Sequence, residues 1–160
     1  MHAQDVLFYG HRSLMRALDA LDHAYWGTPG VCGVWTAKDV VAHLASYEIM
    51  LSEVLGSFLD LDDTPTLNRY RDGENANDAE VEARAGMSVD QVLAEYEAAR
   101  QLVDTRIKQI PETTLRETGA LPWYGEEYDL EDYIVYVGYG HKREHAAQFN
   151  SYKDCLHAAS

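Results

Sequence analysis

Four long stretches of this chain repeat their apolar residues every third or fourth position, the period of a helix lying against a core. The first, about Ala3 to Tyr25, spaces Leu7, His11, Leu14, Leu18, Leu21 and Tyr25 by fours and threes. The second carries Val40, His43, Tyr47, Leu51, Val54 and Phe58. The third, about Val89 to Gln109, carries Val92, Tyr96, Ala99, Val103 and Ile107 or Ile110. The fourth, from Asp129 to about His157, carries Ile134, Gly138, His141, His145, Gln148, Tyr152 and Cys155 or Leu156. No stretch alternates as a strand would, and no internal repeat is visible. Each stripe has to be buried against neighbours, so the expected fold is all-α, an antiparallel four-helix bundle.

Polar residues mark the helix limits. Thr36 with Asp39, and Ser88 with Gln91, have the spacing of capping boxes, and Trp35 is placed to pack on Val40 as a hydrophobic staple. Asp129 caps the fourth helix, Pro111 stops the third, and Gly27-Thr28-Pro29-Gly30 breaks the first from the second. Periodicity is lost over 60–87, where Asp62-Asp63-Thr64-Pro65 and Asp72-Gly73-Glu74-Asn75 are turn chemistry and 77–85 allows a short helix. It is lost again over 113–129, which includes Leu121-Pro122-Trp123-Tyr124-Gly125. Connections this long are often functional. The 60–87 segment reads either as a crossover over a pocket mouth or as a solvated acidic linker.

A length of 160 residues fits one domain, 1–160, with a core that needs neither disulfide nor structural metal. Thirteen basic against 27 acidic residues give a net charge of −14, which disfavours nucleic acid and anionic membranes as partners. Cys32 and Cys155 form no CxxC, which suits a reducing cytoplasm. Neither a signal peptide nor a membrane span is expected.

The chemistry concentrates in His141-Lys142-Arg143-Glu144-His145. Two imidazoles four positions apart on a helix differ by about 40° around its axis, so both point the same way and can share one metal ion. His43, on the inward stripe of the second helix, is the third ligand. Three neutral imidazoles leave a coordination position open, as in catalytic sites, and suit zinc, nickel, copper or iron alike. The plain alternative places His43 in the core and the other two on the surface. A zincin HExxH would need Glu where the chain has Lys142. The inverzincin HxxEH is present with Glu144, but after His145 only Asp154 could be its acidic ligand. Gly138 and Gly140 provide either room beside the site or close helix packing. Tyr47, Trp123, Tyr124 and Gln148 are candidate pocket residues, and His11 reads as a core or pocket-edge histidine. Glu48 and Glu144 are the nearby carboxylates, neither of them placed inward by the pattern.

Trp35-Thr36-Ala37-Lys38-Asp39-Val40-Val41-Ala42-His43-Leu44, followed by the distant His141-x-x-x-His145, resembles the DinB-like superfamily over nearly the whole chain. The resemblance implies an up-up-down-down bundle with long crossovers, often a homodimer. It implies a divalent metal ion, most often zinc or nickel, on His43, His141 and His145. Members include thiol-dependent transferases and isomerases that use mycothiol or bacillithiol. The implied function is therefore a metal-dependent enzyme acting on a small electrophile by thiol S-transfer, isomerisation or hydrolysis, with a low-molecular-weight thiol as partner. The alternative is a non-catalytic bundle that binds or sequesters a metal or small ligand. The open coordination position favours the enzyme.

Overall fold

The computed structural model describes residues 2–61 and 63–159, so that Asp62, one of the turn residues above, lies outside them. Among the described residues the chain is helical, without strands; an isolated bridge pairs Cys32 with Trp35. The long helices are α1 (Ala3–Asp19), α2 (Ala37–Ser57), α5 (Val89–Ile107) and α8 (His141–Ala158). Between them lie α3 (Pro65–Asp72), α4 (Ala76–Glu82), α6 (Glu112–Leu115) and α7 (Leu130–Ile134), the last joined to α8 by a π-helical turn, Val135–Gly140. No described helix is long and apolar enough to cross a membrane.

The expected caps form. Thr36 Oγ1 accepts from the Asp39 amide at 3.1 Å while the Asp39 carboxylate accepts from the Thr36 amide at 2.9 Å. Ser88 with Gln91, and Asp129 with Asp132, make the same reciprocal pair. Such caps hold helix ends by about 1 kcal/mol each. Helix α1 is shorter than its stripe. The Asp22 carboxylate accepts from the Ala24 amide and starts a 3-10 turn, which turns Tyr25 outward to solvent while Leu21 stays buried. Trp35 packs at the edge of the core cluster that contains Val40, and its ring centre comes within 5.1 Å of His43.

Residues 65–82 are not a solvated linker. The buried Glu53 carboxylate on α2 accepts from the amides of Thr66 (3.1 Å) and Leu67 (2.9 Å), capping α3 from outside because Thr64 makes no such bond. Glu80 on α4 is buried between Arg69 (2.6 Å) and Arg84 (2.8 Å), and Arg84 also pairs with Glu95 on α5. Flanked by α3, α4, α5 and α8, helix α2 is buried on nearly every face.

Contacts along the helices give their directions. Lys38 Nζ donates to the Met87 carbonyl at one end of α2, and the Arg106 guanidinium donates to the Ser52 carbonyl towards the other, so α2 and α5 run the same way. The N-terminal part of α1 shares a cluster with the C-terminal halves of α2 and α5 and with α7; its C-terminal part shares another with their N-terminal halves and α8. The long segments therefore run up, down, down, up, instead of the up-up-down-down order that the resemblance implies. The physical reason lies in the connections. Residues 20–36 only reverse the chain, whereas the 58–88 segment carries it back along α2 before α5 begins.

Candidate metal centre

Beside the fourth stripe, a second set of buried residues would not stay on one side of a plain α-helix. Leu130, Ile134, Gly138, Lys142 and Ala146 are all buried at steps of four, and four such steps drift by about 160°. The π turn takes up that drift, since its wider winding sets the residues after it back towards the core. It also marks the tightest helix crossing. A Cβ on Gly10 would stand 2.0 Å from the Gly138 carbonyl oxygen, and one on Gly138 would stand 2.6 Å from Leu7 Cδ2. Close packing is thus the reason for Gly138.

Beyond that crossing, His141 and His145 face His43 across the α2–α8 contact. Their relative exposures are 3% for His43, 7% for His141 and 5% for His145. His141 Nε2 lies 3.0 Å from His43 Nε2 and 3.0 Å from His145 Nε2, and one ligand atom from each ring lies within 4.8 Å of the others. The surface alternative for His141 and His145 does not hold. Burial, reinforced by the neighbouring imidazoles, pushes His43 and His141 down to about 3. Burial also lowers His145, partly offset by its bond to Gln148 Oε1 at 2.7 Å. At neutral pH all three rings are therefore neutral.

Hydrogen bonding alone serves such a cluster badly. Each neutral ring offers one N–H and one in-plane lone pair, and the His141 Nε2 has two Nε2 neighbours at bonding distance. No tautomer makes both contacts good, because a single lone pair or a single proton cannot satisfy two partners. Three lone pairs aimed at one cation satisfy all of them together. Tetrahedral ligands at zinc–nitrogen distances of 2.0–2.1 Å sit about 3.3 Å apart, close to the observed spacing. The donor set fits a divalent transition metal, and the group could hold one. Gln148 fixes one tautomer, whereas Nδ1 of His43 and His141 reach no hydrogen-bond partner. Their ring faces are covered instead by Trp35 and Tyr47, whose centre lies 4.4 Å from that of His141.

A second polar cluster lies one residue away. Lys142 and Glu48, 2% and 1% exposed, form an ion pair inside the protein. Burial alone would lower the Lys142 pKa, but the Glu48 carboxylate and the Tyr96 hydroxyl outweigh it and hold the ammonium charged. Tyr96 in turn meets His11 Nδ1 at 3.0 Å, and burial lowers His11 to about 4. The expectation that Glu48 is not inward is corrected here. An α-helix buried on nearly every face has little outward side to which a carboxylate can turn. Glu144 is exposed, as its position beside the stripe implies.

Of the candidate pocket residues, Tyr47, Trp123 and Tyr124 line one cavity together with Tyr70, Arg71 and Tyr133. Gln148 lies elsewhere, on the far side of His145, beside Val31 and Tyr152. The aromatic runs at 123–124 and 133–136 were a usable signal for this cavity. Arg71 and Lys142 had none, since both read as ordinary surface charges.

The sequence profile of the mycothiol maleylpyruvate isomerase N-terminal domain matches residues 8–128. The chain belongs to this family, one of the DinB-like superfamily. No curated protein and no solved structure gives a match. The matched span takes in His43 and ends before His141 and His145, so these two rest on spacing and geometry.

Proposed function

We propose that this protein is a metal-dependent enzyme of the DinB-like kind, a four-helix bundle forming one domain over 1–160. In this reading His43, His141 and His145 are the ligands of a zinc or nickel ion. The observation that carries it is the convergence of three buried, neutral imidazoles whose Nε2 atoms no pattern of hydrogen bonds can satisfy. A bound divalent ion would polarise a coordinated water or thiol and lower its pKa. The thiol-dependent isomerase in the family's name supports a low-molecular-weight thiol as co-substrate and a small electrophile as substrate.

The chain's own contribution is orientation and exclusion of water. Gln148 Oε1 accepts the His145 Nδ1 proton, which turns the Nε2 lone pair towards the centre. Trp35 and Tyr47 cover the His43 ring, and the tight crossing at Gly10 and Gly138 fixes where α8 begins. A second reading is a non-catalytic protein that sequesters a metal or ligand. It is favoured by Glu48, whose commitment to Lys142 removes that buried carboxylate as a base.

The test is metal analysis of protein purified without chelator or affinity tag, followed by thiol-transfer and isomerisation assays with and without added ion. About one ion per chain, lost in His145→Ala, with turnover that follows metal content, supports the enzyme. Metal without turnover supports the second reading. Equal metal content in wild type and variant overturns both.

A further inference from the structure

The cavity against the His141 side of the molecule has contents that neither the fold nor the histidines account for. It measures about 520 Å³, within the range of small-molecule sites. Its walls come from α2 (Tyr47, Met50), α3 (Leu67, Tyr70, Arg71), the 121–125 turn and the α7–π segment. The rings of Tyr47 and Tyr70, of Trp123 and Tyr133, and of Tyr124 and Tyr133 meet edge to face at 4.9–5.3 Å. Aromatic faces not consumed by stacking on one another are left for a flat guest.

Two polar groups in this wall have no account from the fold. Tyr133 is 3% exposed and its hydroxyl reaches no hydrogen-bond partner. A buried phenol without a partner is uncommon, because it has given up its hydrogen bonds to water and gained none in return. Its surroundings are the other cavity phenols, Tyr47, Tyr124, Tyr136 and Tyr70, and Tyr70 is already engaged with Ser46 at 2.6 Å. Arg71 is the second. In a chain of net charge −14 its guanidinium pairs with no carboxylate among the described residues and stands over Trp123, 5.9 Å from the ring centre. A fork of N–H donors at the rim of a cavity with aromatic walls describes one kind of guest.

We propose that this cavity binds an aromatic carboxylate, its ring against Tyr47, Trp123 and Tyr124 and its carboxylate on Arg71. The site extends the functional reading above by giving the class of molecule that would lie next to the histidines. Tyr47 is shared by both, lining the cavity and lying 4.4 Å from the His141 ring. The cavity itself needs no metal, and it is tested without one.

The experiment is calorimetric titration of chelator-dialysed full-length protein with 6-hydroxy-2-naphthoate, the matching uncharged 6-hydroxy-2-naphthamide, and cyclohexanecarboxylate. The naphthoate should bind about tenfold or more tighter than either of the others. Arg71→Gln, at an exposed position, should bring naphthoate and naphthamide to the same affinity. No binding, equal binding of the charged and uncharged naphthalenes by the wild type, or a preference that survives Arg71→Gln would each overturn the proposal. Because no metal is present, these outcomes are independent of whether the histidines hold an ion.

Discussion

His141 and Lys142 are neighbours in sequence, both buried, and handled in opposite ways. His141 joins two other imidazoles and gives up its charge, while Lys142 keeps its charge by meeting Glu48. The difference follows from how far each group's ordinary pKa lies from neutral pH. An imidazole near 6.5 becomes neutral at little cost, whereas an ammonium near 10.4 is held more easily by a counter-charge than by deprotonation. The neutral cluster therefore has lone pairs to offer a ligand, and the charged pair has none to spare. That separates what can serve chemistry here from what serves the core.

The largest effect should come from breaking the pair. Lys142→Ala leaves the Glu48 carboxylate buried and alone, which should cost about 3–5 kcal/mol in denaturant unfolding. Glu48→Gln combined with Lys142→Met should recover most of it; no recovery would mean that the loss comes from packing instead of charge. The imidazoles should respond to pH where the pair does not. His43 and His141 stay neutral in the fold down to about pH 3. Unfolded histidines protonate near 6.5, so below that pH the unfolded state binds more protons and stability falls as pH is lowered. The slope should approach about 1.4 kcal/mol per pH unit for each residue between pH 6 and 4, and flatten in a His43→Phe, His141→Phe double variant. An identical slope in that variant would show that the histidines titrate normally.

Metal provides the third comparison. An ion at about 100 times its Kd should raise stability by about 2.7 kcal/mol. His145→Ala should remove that shift and keep the helical circular-dichroism signal, because the apoprotein has core enough without the ion. Full metal stabilisation of the variant would refute the triad. The smallest change is Gln148→Ala, which frees the His145 Nδ1 proton. Affinity for the ion should drop about tenfold, the low end for an outer partner of a ligating histidine, with the apoprotein Tm nearly unchanged.

What the sequence determined on its own is whatever repeats within one helix. The capping pairs Thr36–Asp39 and Ser88–Gln91, the all-helical class and the shared direction of His141 and His145 depend only on spacings of three and four along one element. His43 was legible because its stripe gave it an inward side. The tertiary structure alone decided whatever depends on a second element. The up-down-down-up order follows from how the 58–88 segment is pinned by Glu53, Glu80 and Arg84. The π turn sits where Gly10 and Gly138 approach closely, and the inward Glu48 follows from helices closing over nearly every face of α2. Tyr133 and Arg71 share a wall only because α3 is held over α2 beside α7. A helical period reports the direction of a side chain about its own axis. It carries no record of which neighbour stands there, and burial, charge and ligand geometry are properties of that neighbour.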